Sequence, residues 1–186
     1  MVLGLVIMVF IFYPLVVSAL VKSMNYRKFL SGIRDAQITA FSTSSSVATL
    51  PVTMNAVNKN LGVNERTTSF VLPIGATVNM DGTSLYQAVA VVALAQFHMV
   101  DLSLMQQLTI IITATLASIG AAAVPSAGLV LMIIVLESVG LNPAWIALIF
   151  PVDRILDMCR TVVNVTGDAS VSTIVASSEG ELEPNP

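Results

Sequence analysis

The sequence has little charge, one cysteine and one histidine. Of its 186 residues only 10% are charged, against about 25% in an ordinary soluble domain, and 55% are hydrophobic. With a mean hydropathy of +0.87, this composition excludes a water-soluble globule. The single cysteine, Cys159, excludes an internal disulfide framework, and Cys and His are too few for a zinc-ligand cluster.

The net charge of −3 arises at one end of the chain, where Glu179, Glu181 and Glu183 lie within the last eight residues. The other acids and bases balance. A nucleic-acid partner would require a clustered basic face that contacts several phosphates, and the sequence offers none of that kind. We therefore expect no nucleic-acid partner.

Long uncharged stretches predict an all-α membrane protein, because about 20 apolar residues cross the hydrocarbon core of a bilayer. Two stretches carry small or polar residues at their centres, and non-helical backbone is tolerated at membrane depth only against protein or a cavity. We expect a transport domain over residues 1–178 and an acidic cytoplasmic tail over 179–186. Its predicted parts are a span at 1–22, a serine-rich re-entrant hairpin at 36–58, a broken span at 67–100, an alanine-rich re-entrant hairpin at 102–136, and a last span at 143–176.

The distribution of Lys and Arg predicts orientation, because short cytoplasmic loops are enriched in these residues. Basic residues flank the serine-rich segment on both sides, whereas the loops near Asp101 and Glu137 contain none. The serine-rich hairpin is therefore expected to enter from the cytoplasm and the alanine-rich hairpin from outside. This gives an inverted repeat in a multi-pass protein, with the start of the chain inside the bilayer and further spans expected upstream.

Polar residues recur on one face of the last predicted span. Their spacings of four, three, four and four place them on one side of a helix, at Asp153, Asp157, Arg160, Asn164 and Asp168. Ionisable residues inside a membrane usually mark a pathway for solute or ions. The alternative is a stripe that only packs helices together.

Two short segments repeat a pattern of Asn, a polar residue, Gly and a polar residue. They are NMDGT at 79–83 and NVTGD at 164–168. Glycine weakens a helix, so we expect each segment to unwind and expose carbonyl oxygens beside Asn and Asp side chains. Oxygen-rich sites at the junction of two inverted repeats are typical of transporters and their coupling ions.

The serine run at 44–46 suits a carboxylate at a half-helix N-terminus. A second class of function, an intramembrane hydrolase, would use Ser45 with Asp157 or His98. Such an enzyme needs a nucleophile and a base within hydrogen-bond reach. His98 is expected near the far end of its span, so we favour a non-enzyme.

Together these motifs resemble the C-terminal half of the glutamate transporters, the dicarboxylate/amino acid:cation symporters. The resemblance covers nearly the whole chain and is carried by SSSVATLP at 44–51, NMDGT at 79–83, the alanine-rich hairpin, and DMCRTVVNVTGD at 157–168. It implies a transport domain that moves like an elevator against a separate scaffold, usually within a homotrimer in the cell membrane. It also implies that scaffold spans precede this segment.

The resemblance implies a role for particular residues. Arg160 would pair with the side-chain carboxylate of the substrate, and Asp157 would hold its ammonium group. Further contacts would come from side chains and the two hairpin tips, at Ser44, Ser45, Ser46, Thr83, Val124, Pro125, Ser126, Ala127, Gly128, Thr161 and Asn164.

The resemblance also implies three sodium sites, with no organic cofactor. The first corresponds to Gly75, Asn79, Asn164 and Asp168. The second corresponds to Thr77 with carbonyls of Ser118, Ile119 and Ala121, and the third to Asp81 and Asn79. Arginines that some members carry at positions 44 and 158 are Ser44 and Met158 here, so potassium counter-transport is not implied.

We expect sodium-coupled uptake of L-aspartate or L-glutamate. A neutral solute would leave the guanidinium of Arg160 buried without a partner, which costs several kcal/mol. Asp157 argues for an amino group on the solute. The alternatives are proton-coupled symport of glutamate or of C4-dicarboxylates, since buried carboxylates also relay protons, and a non-transporting regulatory partner.

Overall fold

The computed structural model describes residues 1–183. Regular structure over these residues is helical, as the composition predicts, apart from a single β-bridge between Val63 and Leu182. The helices are α1 (Val2–Ile7), α2 (Tyr13–Leu20), α3 (Tyr26–Gly32), α4 (Arg34–Thr43), α5 (Ser46–Leu61), α6 (Glu65–Val78), α7 (Asp81–Phe97), α8 (Leu104–Ile119), α9 (Ala127–Ser138), a 3₁₀ turn (Pro143–Leu148) and α10 (Phe150–Glu179).

The first helical stretch runs without interruption from Val2 to Leu20. It is long and apolar enough to cross a membrane, and no other helix in the described part of the chain meets both criteria. A wide π-helical turn at Met8–Phe12 joins α1 to α2 just before Pro14. Proline lacks an N–H and its ring crowds the preceding turn, so the local widening follows from this residue.

Two pairs of consecutive helices pack against each other through short turns. Between α4 and α5, Ser44 adopts a left-handed conformation and the Ser45 side chain caps α5 by accepting from the N–H of Ala48. Between α8 and α9, the loop ends at Ser126, which is also left-handed. The two turns touch, because the Ser45 hydroxyl donates to the Ala123 carbonyl at 2.6 Å.

The segment after α6 is interrupted. Asn79 and Met80 have non-helical backbone angles, so α6 ends at Val78 and α7 begins at Asp81. The break leaves polar groups at the middle of the segment.

The expectation of a matching unwound centre in the last segment is wrong, because α10 is helical through Gly167. That glycine serves close packing instead. A Cβ placed there would lie 2.6 Å from the side-chain nitrogen of Asn79 and 2.9 Å from the Tyr13 hydroxyl. The missing side chain therefore admits two polar groups against an intact helix.

Helix α10 lies at the centre of the structure and packs against α1, α2, α4, α5, α6 and α7. One hydrophobic cluster joins α10 to α1, α2, α3, α5 and α6, a second joins α7, α8 and α9, and a small third cluster joins α10 to α4 and α5. Four buried hydroxyls of α10 are paired within the helix, because Thr161, Thr166, Ser170 and Thr173 each donate to a backbone carbonyl four residues earlier, whereas the Ser172 hydroxyl has no partner in the described part of the chain. Most of the polar side chains of this helix can thus be buried with hydrogen bonds to the helix itself.

The chain returns to the α5–α6 turn after α10. The Glu183 N–H donates to the Gly62 carbonyl at 2.7 Å, and the Glu181 carboxylate accepts from the Thr67 hydroxyl. This hydroxyl, together with Asn64, holds the pKa of Glu181 below its usual value. The first part of the predicted tail is therefore docked, whereas its residues 184–186 lie outside the described part.

Gly82 provides a test of the packing between α7 and α10. A Cβ at this position would lie 2.6 Å from the Arg160 carbonyl oxygen, which is backbone and cannot move aside cheaply. We expect Gly82→Ala to destabilise the protein by about 1–3 kcal/mol. Thermal unfolding in detergent measures the effect, with Gly120→Ala as the control, because the nearest atom to that added Cβ is 3.7 Å away. Equal midpoints for the two variants would contradict this packing.

Candidate functional site

Arg160 lies on α10 and is the largest fully buried side chain among residues 1–183. Its Nη1 donates to Oδ1 of Asp153 at 2.9 Å, and its Nη2 donates to Oδ1 of Asp157 at 2.7 Å. The guanidinium carbon lies 3.8 Å from the centre of the Tyr86 ring on α7. Two carboxylates and one aromatic face thus compensate for the water that the charge has lost.

The two carboxylates have further partners on other elements. The Tyr86 hydroxyl donates to Asp153 at 2.9 Å, and the backbone N–H of Ser126 donates to Oδ2 of Asp157 at 2.8 Å. Oδ2 of Asp153 and Nε of Arg160 are buried and have no partner in the described part of the chain. The cluster therefore carries two negative charges against one positive charge and retains unused hydrogen-bonding capacity.

A cavity of about 20 Å³ lies beside Asp157. Such a volume holds about one water molecule. Many of the predicted substrate residues line it, namely Ser44, Ser46, Thr83, Val124, Gly128, Asp157, Thr161 and Asn164. The two helix-pair turns close over this cavity through the contact of Ser45 with Ala123. A larger ligand can therefore enter only if one of the two turns moves.

Asn164 joins α10 to the interrupted segment. Its side-chain oxygen accepts from the Gly82 N–H at 2.8 Å, and its nitrogen lies 3.4 Å from the Thr83 hydroxyl. In the opposite direction, the side-chain nitrogen of Asn79, in the interrupted segment, donates to Asp168 on α10 at 2.9 Å. The two repeated motifs of the sequence thus meet in space.

Asp168 is a buried acid without a cationic partner. It is 3% exposed, and it forms no ion pair with a Lys or Arg within residues 1–183. A Cβ on Gly75 would lie 2.6 Å from its Oδ1, so only glycine lets the α6 backbone come this close. An isolated carboxylate is costly to bury, and a bound cation or a proton would neutralise it.

Asp81 belongs to a neighbouring polar group. It accepts a hydrogen bond of 2.5 Å from the Tyr13 hydroxyl. Together with Asn79, Ser118 and Ile119 it lines an open cavity of about 650 Å³ between α7 and α8. These oxygen-bearing groups are of the type that hard cations prefer. No cluster of three or more His, Cys, Asp or Glu suited to a metal occurs in the described residues.

The remaining predicted residues are placed less favourably for the predicted roles. Thr77 is exposed, and its hydroxyl donates to the Ile74 carbonyl of its own helix. Ala121 lines the small cavity rather than the large one, and Pro125 is exposed. Ala127 begins α9 and lines neither cavity. The structure therefore assembles the first predicted ion site more completely than the second.

Three contacting residues were not predicted as part of the site. Asp153 lies on the polar face of the last span and could have been selected by that periodicity. Tyr86 and Tyr13 look like ordinary membrane aromatics in the sequence. Only the packing of the helices shows that the Tyr86 hydroxyl binds Asp153 and that the Tyr13 hydroxyl binds Asp81.

Comparison with known proteins identifies relatives across almost the whole chain. A family model described as the sodium:dicarboxylate symporter family matches residues 1–178. An excitatory amino acid transporter of Caenorhabditis elegans is 53% identical over 92% of the chain and 34% of its own length. Human excitatory amino acid transporter 2 is 49% identical over 98% of the chain and 32% of its length. The chain thus spans about a third of the length of the curated relatives it matches.

The Tyr86 hydroxyl is expected to stabilise the buried charge cluster. Tyr86→Phe keeps the ring over Arg160 but removes a hydrogen bond to a carboxylate, which costs about 1.5–3 kcal/mol. Unfolding in detergent measures the loss, with exposed Tyr26→Phe as the matched control. If both variants unfold like the parent protein, the Tyr86–Asp153 bond does not contribute to stability.

Proposed function

The chain belongs to the sodium:dicarboxylate symporter family, and from this membership we propose that it contributes the solute site of a secondary transporter for acidic amino acids. The solutes would be L-aspartate or L-glutamate, and the relatives are named as excitatory amino acid transporters. The observation that carries the proposal is the buried guanidinium of Arg160 held between two carboxylates beside a small polar cavity.

Arg160 would recognise the side-chain carboxylate of the solute. A guanidinium is planar and donates two parallel hydrogen bonds, which matches a carboxylate better than an ammonium group does. In the closed structure Asp153 and Asp157 occupy these donors. An incoming carboxylate would replace Asp157, which would then be free to hold the ammonium group of the same solute.

Opening of the site would depend on the loop between α8 and α9. This loop donates to Asp157 through Ser126 and accepts from Ser45 through Ala123, so both contacts must break before solute enters. We assign the two helix pairs to opposed re-entrant hairpins in a membrane, with the α8–α9 loop as the external gate. Elevator-type movement against scaffold helices, within a homotrimer, belongs to the same proposal.

Sodium would be the coupling ion. The uncompensated carboxylate of Asp168 with its neighbours Asn79 and Gly75 supports one site, and Asp81 with Asn79 supports another. Binding of a cation there would stabilise the contact between α6 and α10, which also positions Asn164 at the solute cavity. A proton on Asp168 would neutralise the same charge, so proton coupling is the second candidate.

Isothermal titration of the detergent-purified protein with L-aspartate tests the proposal, with sodium or choline as the only cation and at two pH values. Binding that requires sodium is the expected result. Binding that ignores sodium and follows pH would favour proton symport. Binding of succinate but not aspartate would point to C4-dicarboxylates, and no binding of any of these solutes would contradict a solute site.

Variants of Arg160 test its role directly. Arg160→Lys keeps the charge, and with it a partner for the two carboxylates, but loses the paired hydrogen bonds. We expect L-aspartate affinity to fall roughly 10- to 100-fold, because a hydrogen bond between charged groups contributes about 1.5–3 kcal/mol. Arg160→Cys should lose acidic solutes altogether. Unfolding curves show whether each variant folds, and unchanged affinity in folded Arg160→Lys would refute the assigned contact.

Asp168→Asn tests the coupling site. The substitution removes the negative charge but keeps a similar shape, so sodium affinity should fall at least roughly tenfold. Because linkage is reciprocal, L-aspartate should then reach its full affinity only at correspondingly higher sodium concentrations. Titrations of sodium at fixed aspartate measure both effects. Asp101→Asn, an exposed acid outside both cavities, is the control, and identical sodium dependence in the two variants would remove Asp168 from the ion site.

A further inference from the structure

Four basic residues lie together at one corner of the protein, where the first span ends. Lys22 follows the span, Arg27 and Lys28 lie in the first turn of α3, and Arg34 begins α4. Lys22, Arg27 and Arg34 are exposed, and Lys28 is half-buried. None of the four forms an ion pair with an acid of residues 1–183. We call this set the basic corner.

Local packing holds the basic corner in place. The Asn25 side chain caps α3 by accepting from the N–H of Lys28 at 2.8 Å, and the ring of Phe29 is fully buried. Helix α3 packs against α2, α4 and α5, and the Asn60 side chain donates to the carbonyl of Gly32 at its end. The bases are therefore fixed relative to the span and do not lie on a free loop.

Exposed apolar side chains begin immediately beside these bases. Leu20 is exposed two residues before Lys22, and Ile38 is exposed one helical turn after Arg34. Basic and exposed apolar side chains are thus close neighbours along the chain both at the end of α2 and at the start of α4. Tyr26, an aromatic residue of the type enriched at membrane interfaces, is exposed within the corner.

We infer that the basic corner binds the headgroups of anionic phospholipids. The bases supply the positive charge that a phosphate or carboxylate headgroup requires, and the adjoining apolar surface of α2 and α4 accommodates acyl chains. A soluble anion would contact only the basic side chains. The exposed apolar side chains beside them therefore favour a lipid. The inference rests on the proposed membrane placement of the first span and does not depend on which solute is transported.

In the sequence these bases lie close together, within residues 22–34, and the positive-inside pattern uses them only as markers of orientation. The structure joins them because α3 folds back beside the end of α2. Each base near an anionic leaflet contributes about fivefold to affinity at low ionic strength. A set of four is enough to distinguish anionic from zwitterionic lipid, and salt should weaken that preference.

The test uses delipidated protein in a neutral detergent, titrated with soluble dioctanoyl-phosphatidylserine, with dioctanoyl-phosphatidylcholine, or with inorganic phosphate. The readout is the lipid concentration that gives half of the shift in the thermal unfolding midpoint. We expect phosphatidylserine to act at concentrations at least roughly tenfold lower than phosphatidylcholine. Equal potency of the two lipids would overturn the inference, and an equal effect of phosphate would replace the lipid with a simple anion.

Variants connect the preference to the corner. Replacing Arg27 and Lys28 with Gln should raise the half-saturating concentration of phosphatidylserine roughly 10- to 30-fold and leave phosphatidylcholine unchanged. Arg154→Gln removes an exposed base at the start of α10, far from α3 along the fold, and should have no effect. If Lys22→Gln with Arg34→Gln and the first double variant both keep the preference, the basic corner does not bind lipid.

Titration with L-aspartate on the same samples separates this inference from the proposed function. The double variant should bind L-aspartate like the parent protein, because its bases lie outside the Arg160 site. If the protein distinguishes the two lipids but does not bind L-aspartate, the lipid inference is supported and the proposed solute is wrong. Aspartate binding without lipid discrimination would do the reverse.

Discussion

The burial of one guanidinium constrains the rest of this structure. Arg160 has left water completely, and a buried charge is tolerated only when partners surround it. The partners come from its own helix, through Asp153 and Asp157, and from α7, through the ring and hydroxyl of Tyr86. Helix α7 must therefore lie close to α10, and Gly82 is the residue that permits the approach.

The same requirement connects the charge cluster to the movable part of the site. Asp157 binds Arg160 with one oxygen and the backbone of the α8–α9 loop with the other. A ligand that displaces Asp157 from Arg160 therefore also affects the α8–α9 loop, because the same carboxylate accepts from the Ser126 N–H. In the proposed carrier, solute recognition and gate position would be coupled at Asp157, without a long chain of intermediates.

The glycines of the two repeated motifs do not both interrupt a helix, although helix propensity alone predicts that they would. The repeated Asn and Gly motifs predict two unwound segments, but only Asn79 and Met80 leave the helix. Gly167 remains helical because α10 retains its backbone hydrogen bonds while the missing Cβ makes room for Asn79 and Tyr13. Local propensity is a weak signal in a helix surrounded by neighbours on several sides, and tertiary packing decides the outcome.

The sequence by itself determined the class of the protein, because composition and the lengths of the apolar stretches follow from residue chemistry alone. It also determined the polar face of α10, since helical periodicity places Asp153, Asp157, Arg160, Asn164 and Asp168 together in any helix. Only the tertiary structure decided which atoms meet across helices. The bond from Ser45 to Ala123 and the bonds of the Tyr13 and Tyr86 hydroxyls join residues distant in sequence, and no local spacing encodes such contacts.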